Sequence, residues 1–237
     1  MLLVTGASDN HVRSLRQFIA SFVRHNAAGR HRLLVWNLGL SESDWTSIQT
    51  AHSTHSTHSH IGYEVFDYAK YPDWFDIAKD AGQYAWKPAI LKLVATKHPA
   101  ELVVWMDAGN VLTDSLRNLE RFLRSNALYS SYSVGRIQDW THPATVAALS
   151  PWGSLNASKL NRNGACLGFN LSAERARLCL EEWATACATK EVIAPVGSSR
   201  ANHRQDQSVF SILYYKYVGS DAVSNVFLGY TIHNDVD

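Results

Sequence analysis

The 237-residue sequence has no excess of charge of either sign, few cysteines and no apolar run longer than a strand. Its 22 basic and 21 acidic residues leave a formal charge of +1. No Lys/Arg block is long enough to track a phosphate backbone, which argues against nucleic acid as a partner. The three cysteines, Cys166, Cys179 and Cys187, cannot all pair and form no C-x-x-C motif, so neither a structural zinc nor a redox pair is expected. On one helix, Cys179 and Cys187 would lie roughly 12 Å apart along the axis, too far to bridge, and reduced, partly buried thiols are expected. Met1 leads straight into Leu2-Leu3-Val4 without a charged n-region, so no signal or transmembrane segment is expected within this chain. The compartment stays open between the cytoplasm and the lumen, the latter for a trimmed domain. Two N-x-S sequons, at Asn156 and Asn170, read as chance, the second because it falls on a predicted inner strand.

What is present is a large apolar fraction, 46% of residues, enough for one α/β domain covering 1–237. Eight Trp and ten Tyr exceed the need of such a core, and their polar tips suit the lining of a cleft for a polar ligand. Strand and helix patterns alternate, which predicts a Rossmann-like, mainly parallel central sheet with helices on both faces. Leu2-Leu3-Val4 reads as a buried strand and Thr5 to Asn10 as a polar turn. A helix follows, with Val12, Leu15, Phe18, Ile19, Phe22 and Val23 at helical spacing. Strands are predicted over 32–38 and 61–66, with a short helix opened by Ser41 between them.

The low-complexity run 52–60 places His52, His55, His58 and His60 at regular spacing. With no carboxylate or cysteine beside them to fix a geometry, a solvated loop is expected there, and no catalytic role. Tyr84-Ala85-Trp86-Lys87-Pro88 leads into a helix, because Pro88 is comfortable only in a first turn. Lys87 then stands at a helix N-terminus, where free N–H groups and the dipole already favour an anion.

Glu101 to Met106 is the clearest central strand, apolar without alternation, as a strand covered on both faces should be. It ends on Asp107-Ala108-Gly109-Asn110, and ligands of open α/β sheets gather beyond such carboxyl ends. Further strands are expected over 131–137, 164–171 and 227–232, and helices over 173–189 and 205–217. The Pro/Gly/Ser-rich loop 194–203 lies between the last two helices. Within it, Pro195 to Asn202 has the hinge freedom of a lid.

The opening Val4-Thr5-Gly6-Ala7-Ser8 invites a comparison with short-chain reductases. The further glycines of a dinucleotide loop are missing, since Asn10, His11 and Arg13 follow, and no Tyr-x-x-x-Lys pair occurs in the chain. The run Leu102 to Leu112 instead resembles the strand and D-x-D turn of GT-A glycosyltransferases, which hold a divalent ion against a donor diphosphate. The resemblance extends in order along the chain. Tyr84 to Lys87 resembles the basic residue placed ahead of that turn, and Asn163 to Asn170 the small-residue strand on the acceptor side. His203-Arg204-Gln205-Asp206-Gln207-Ser208 resembles an Asp-Gln helix start, and Tyr230 to Asp235 a C-terminal segment whose histidine completes the metal shell. The sequence is similar to little-characterised eukaryotic and viral GT-A proteins with W-K-P and W-x-D-A-G patterns.

The resemblance implies a hexosyl- or pentosyltransferase that moves sugar from a nucleoside-diphosphate sugar, such as a UDP-sugar, to a glycan hydroxyl. It also places a lumenal form in the Golgi. Thr5, Gly6, Ala7, Asn10, Lys87, Asp107, Ala108, Gly109 and Arg204 would meet the donor. Gly164, Asn170 and Gln207 would face the acceptor. Asp206 is the implied general base of an inverting reaction, or a positioning group of a retaining one. Asp107 and His233 would hold Mn²⁺ or Mg²⁺, hard ions that take oxygen ligands and cover the charge of a leaving diphosphate. Gly109 stands where the second acid of the motif belongs, so Asn110 or a water would replace that oxygen, or Lys87 would carry more of the charge. A catalytically silent carbohydrate- or nucleotide-binding domain of the same fold is the alternative that Gly109 suggests.

Overall fold

A computed structural model of the chain describes residues 1–26, 28–53, 60–219 and 228–237. The expected alternation is realised as β1 (Leu2–Ala7), α1 (Val12–His25), β2 (Arg32–Asn37), α2 (Glu42–Ser53), β3 (Ile61–Val65), α3 (Trp86–Lys97) and β4 (Leu102–Met106). Next come β5 (Val111–Leu112), α4 (Arg117–Ser125), β6 (Leu128–Tyr129), β7 (Tyr132–Arg136), α5 (Pro143–Ala148), α6 (Trp152–Asn156) and β8 (Leu160–Arg162). The chain then forms β9 (Cys166–Asn170), α7 (Glu174–Cys187), α8 (Lys190–Ile193), α9 (Gln205–Val218) and β10 (Tyr230–Thr231).

The central sheet has the order β3-β2-β1-β4-β9-β6. Its first four strands run parallel, whereas β9 runs antiparallel to both β4 and β6. All five residues of β4 are buried, which explains a run with no polar alternation. One apolar cluster fills the face under α3, α7 and α9, where Trp183 stacks on Phe169 and meets the edge of Phe210. A second, built on Leu15, Phe18 and Phe22 of α1 and Leu119 and Leu123 of α4, fills the other face. Burying each such side chain contributes roughly 2 kcal/mol, and the two clusters together fix the sheet.

Some expectations fail in instructive ways. The first strand does not stop at Val4 but runs through Thr5-Gly6-Ala7, all buried, so the polar turn starts later, at Ser8. The strand expected over 131–137 forms as β7 but pairs with β8 in a separate ribbon. The closing segment gives only the short β10, paired with β5, and Phe227 lies outside the described residues, as do His55 and His58. Both sequon asparagines are buried, Asn156 Nδ2 donating to the Ile212 carbonyl and Asn170 Nδ2 to that of Leu123. All three cysteines are free and buried. None of the described helices is long and apolar enough to cross a membrane.

Ahead of α3 the backbone takes an unusual path. Asp80, Ala81, Gly82, Gln83 and Tyr84 all have φ between 50° and 60°, a left-handed turn in which only one residue is glycine. Each non-glycine there costs roughly 1–2 kcal/mol. Gly82 is required twice over, by its φ and because a Cβ would stand 2.1 Å from the Phe75 carbonyl oxygen. The turn delivers Tyr84, Trp86 and Lys87 to the carboxyl end of β4.

Candidate active site

At the carboxyl ends of β1 and β4 and the approach to β9 lies a cleft of about 880 Å³. Its centre is a buried lysine between two aspartates. The Lys87 ammonium lies 3.1 Å from Asp107 Oδ1 and 3.4 Å from Asp206 Oδ2, and donates to the Gly164 carbonyl at 3.1 Å. Burial pulls its pKa down, but the charges of Asp107 and Asp206 outweigh that and hold the group above its ordinary value, fully charged. Trp105 and Tyr84 present their rings at 5.7 and 6.0 Å from the ammonium, so its apolar surroundings are aromatic.

Asp107 opens the turn after β4. Its N–H donates to the Ala165 carbonyl, and its Oδ1 accepts from Trp105 Nε1 at 2.5 Å as well as from Lys87. Both side-chain contacts fall on Oδ1, so among the described residues Oδ2 is left for a ligand. Asn110 closes the turn with its Nδ2 on the same Ala165 carbonyl at 2.8 Å, while its Oδ1 is buried without a hydrogen-bond partner. Residues 164 and 165 can serve both Lys87 and the turn because β9 runs antiparallel, bringing its start beside the end of β4.

Asp206 sits in the first turn of α9 and is 4% exposed. Burial pushes its carboxyl up, to about 6, against the pull of Lys87. Lys87 approaches Asp206 Oδ2 at 3.4 Å as an ion pair, and no closer hydrogen bond reaches that buried oxygen. Gln207 packs beside Gly164, where a Cβ would come within 3.3 Å of it. Arg204 lays its guanidinium 4.1 Å over the Trp140 ring, and Arg200 donates to the Tyr84 hydroxyl. The loop 195–202 closes on itself through Ser198 N–H to the Pro195 carbonyl and Asn202 Nδ2 to that of Gly197.

The C-terminal segment forms the opposite wall. Asn234 N–H donates to the Gly109 carbonyl at 2.8 Å, and Gln17 Nε2 donates to the Asn234 carbonyl. Asp237 accepts from the Arg13 and Ser14 N–H groups at the start of α1, where free amides favour an anion. His233, with φ of 57°, and Asp235 both border the cleft. Asp235 stands directly against Gly109, where an added Cβ would lie 2.3 Å from Oδ1 and 2.7 Å from Oδ2.

Gly6, Ala7, Asn10, Lys87, Asp107, Ala108, Gly109, Arg204, Gly164, Asp206, Gln207 and His233 thus share one cleft, as expected from the sequence. Two expected residues do not. Thr5 is completely buried on the strand, its hydroxyl without a partner, because β1 continues past it. Asn170 pairs with Leu102 at the far end of the antiparallel β9 and ties down α4 through Leu123. Sequence reasoning missed Asp235, Arg200 and Tyr84 as cleft residues. The spacing around Gly109 offers no hint of an acid arriving from 126 positions further along, whereas the Tyr84 ring two residues ahead of Trp86 was in view.

A family profile described as a protein of unknown function (DUF1647) matches residues 1–92. No curated protein matches the sequence. Among solved structures, the galactosyltransferase LgtC in complex with donor and acceptor sugar analogs aligns over 98% of this chain and 87% of its own, with TM-score 0.61 and 17% identity. The bifunctional glycosyltransferase WbbM aligns over 92% of this chain and 38% of its own, with TM-score 0.62 and 16% identity. Mouse xyloside xylosyltransferase 1 aligns over 92% of this chain and 82% of its own, with TM-score 0.53 and 12% identity. At such identities the likeness speaks for architecture, and the architecture of this chain, with its mixed sheet and helices on both faces, is the GT-A fold.

Proposed function

We propose that the protein is a glycosyltransferase, moving a sugar from a nucleoside-diphosphate sugar to a glycan hydroxyl, with a divalent cation at the diphosphate. The observation that carries this reading is the cluster of Lys87, Asp107 and Asp206 at the mouth of β4, inside the cleft of a GT-A fold. A fixed, fully charged ammonium in an aromatic surround stabilises developing negative charge without having to reorganise. Lys87 and Arg204 serve the diphosphate oxygens in this reading, and Gly6, Ala7 and Asn10 the nucleoside. The small residues Ala108, Gly109 and Gly164 let the sugar approach the backbone. The 195–202 loop is the candidate lid, hinged at Gly197.

The residues present suit a hard cation such as Mn²⁺ or Mg²⁺. Asp107 has a carboxylate oxygen to spare, Asn110 has an orphaned buried oxygen, and His233 borders the same space. Such an ion supplies charge for the departing diphosphate. Asp206 lines the cleft with its carboxyl pushed up to about 6 by burial, which suits it to accept the proton of an acceptor hydroxyl or to orient that hydroxyl.

The test is a screen of nucleoside-diphosphate sugars with glycan acceptors, read by release of the diphosphate. Asp107→Asn should lower release by about a hundredfold or more while the protein stays folded. Near-normal turnover in that variant would overturn the assignment. Calorimetric binding of a nucleoside diphosphate with no turnover of any donor would favour a silent binding domain instead.

A further inference from the structure

Gly109 poses a question that the turn itself does not answer: a site meant to hold a dication next to a diphosphate has one carboxylate where two are wanted. The structure puts another carboxylate into that space. An ideal Cβ on Gly109 would lie 2.3 Å from Asp235 Oδ1, 2.7 Å from its Cγ and 2.7 Å from its Oδ2. The Asp235 carboxylate therefore fills the volume that an acidic side chain at 109 would occupy, and only a residue without a Cβ leaves room for it. We propose that Asp235, carried in by the C-terminal segment, supplies the second carboxylate of a divalent-cation site whose other oxygen ligands come from Asp107 and Asn110. This rests on the cation of the proposed glycosyl transfer.

The position of Asp235 is held from both sides. Its neighbour Asn234 bonds to the Gly109 carbonyl through its N–H and to Gln17 through its carbonyl. On the other side, Val236 N–H donates to Ser14 Oγ at 3.0 Å, and Asp237 caps the start of α1. Segments pinned this way present a side chain in one place rather than sweeping it through solvent. The Asp235 carboxylate itself is uncommitted, since its recorded partner is His11 Nε2 at 3.7 Å, with both side chains nearly half exposed. An exposed contact of that length contributes little.

A second observation points to a ligand independently of the acids. Asn110 is 1% exposed and borders the cleft, its Nδ2 is pinned to the Ala165 carbonyl, and its Oδ1 has no hydrogen-bond partner. A buried, unsatisfied acceptor is costly unless a ligand completes it. Two carboxylates and an amide oxygen form a hard donor set that favours Mg²⁺ or Mn²⁺ over thiophilic metals. Among the described residues no three His, Cys, Asp or Glu side chains already converge as a preformed cluster. The ion would thus draw Asp107 and Asp235 together across Gly109.

The experiment titrates MnCl₂ into the full chain without nucleotide and reads free Mn²⁺ by electron paramagnetic resonance. Asp107→Asn and Asp235→Asn should each weaken binding by about tenfold or more. Relocating the acid in the double variant Gly109→Asp/Asp235→Ala, which removes the carboxylate that a Cβ at 109 would meet, should restore affinity to within about threefold of wild type, because the carboxylate returns to the same space from the turn itself. Melting curves establish that each variant is folded, which the exposed position of Asp235 favours. An Asp235→Asn protein that binds Mn²⁺ like wild type, while Asp107→Asn does not, overturns the role of Asp235 and leaves sugar transfer standing. The expected binding pattern in a protein that turns over no donor leaves the cation site standing and overturns sugar transfer.

Discussion

Replacing Lys87 with methionine removes the cation held between two carboxylates while keeping most of the side-chain volume. Lys87 and Asp206 expose only 5% and 6% of their side chains, so water cannot take over the lost partner. Breaking a buried pair from one side costs about 3–5 kcal/mol, and at neutral pH the loss should fall in that range. The pH dependence is the sharper part. In the native protein the Asp206 carboxyl is raised from 3.8 to about 6, chiefly by burial. A raised carboxyl contributes stability that is full below its unfolded value and is lost as pH rises through its folded one. Between pH 5 and 7 that amounts to roughly 1 kcal/mol in wild type. Without Lys87 the carboxyl rises further, so the same interval should cost the variant more than it costs wild type. Urea unfolding at both pH values, in EDTA to keep cations out, measures the difference. Adding Asp206→Asn to Lys87→Met should recover part of the loss, since the unpaired charge goes with it. A Lys87→Met protein within about 1 kcal/mol of wild type at pH 7, or one whose deficit is the same at pH 5, would refute the ion-pair account.

Gly82→Ala places a Cβ against the Phe75 carbonyl at a φ of 57°, and should destabilise by about 2–4 kcal/mol in thermal melts. An unchanged melting temperature would show that the left-handed turn relaxes freely. Glu120→Gln addresses the other end of the sheet, where hydrogen bonds from Arg30 and then Arg124, working against burial, hold the Glu120 carboxyl down to about 2. A depressed carboxyl contributes stability that is present above its unfolded value and lost as pH falls through its folded one. Both arginines are half exposed, so after screening the variant should lose only about 1–2 kcal/mol at pH 7. The deficit should narrow as acid unfolding is followed from pH 5 towards 2, and a deficit constant with pH would assign it to packing instead.

The order of elements was legible because burial on two faces leaves a plain trace, as in the unbroken apolar run of β4 ending on Asp107. Lys87 was legible for a similar reason, since Pro88 marks the first turn of a helix. Direction was not. An apolar strand reads the same whether it runs parallel or antiparallel to its neighbour, so Asn170 was assigned to the end of β9 that faces away from the cleft. Thr5-Gly6-Ala7 has the composition of a turn yet pairs in register with Val35, Trp36 and Asn37, because the sheet supplies hydrogen bonds that local composition does not announce. In the left-handed turn, Gly82 alone advertises a positive φ. The other four residues adopt it although each carries a Cβ that disfavours it. Asp235 is the extreme case, an acid whose place beside Gly109 exists only through the folded C-terminal segment.

The reversal of β9 has a practical consequence for how this site can be dissected. Two peptide oxygens, those of Gly164 and Ala165, receive the lysine ammonium, the Asp107 amide and the Asn110 amide, so the scaffold of the cleft is main chain rather than side chain. An alanine scan cannot reach these oxygens, since one position is already alanine and at Gly164 it would add a Cβ 3.3 Å from Gln207 rather than remove an acceptor. Their importance would surface only when the peptide link itself is altered, for instance by an amide-to-ester exchange that weakens the oxygen as an acceptor.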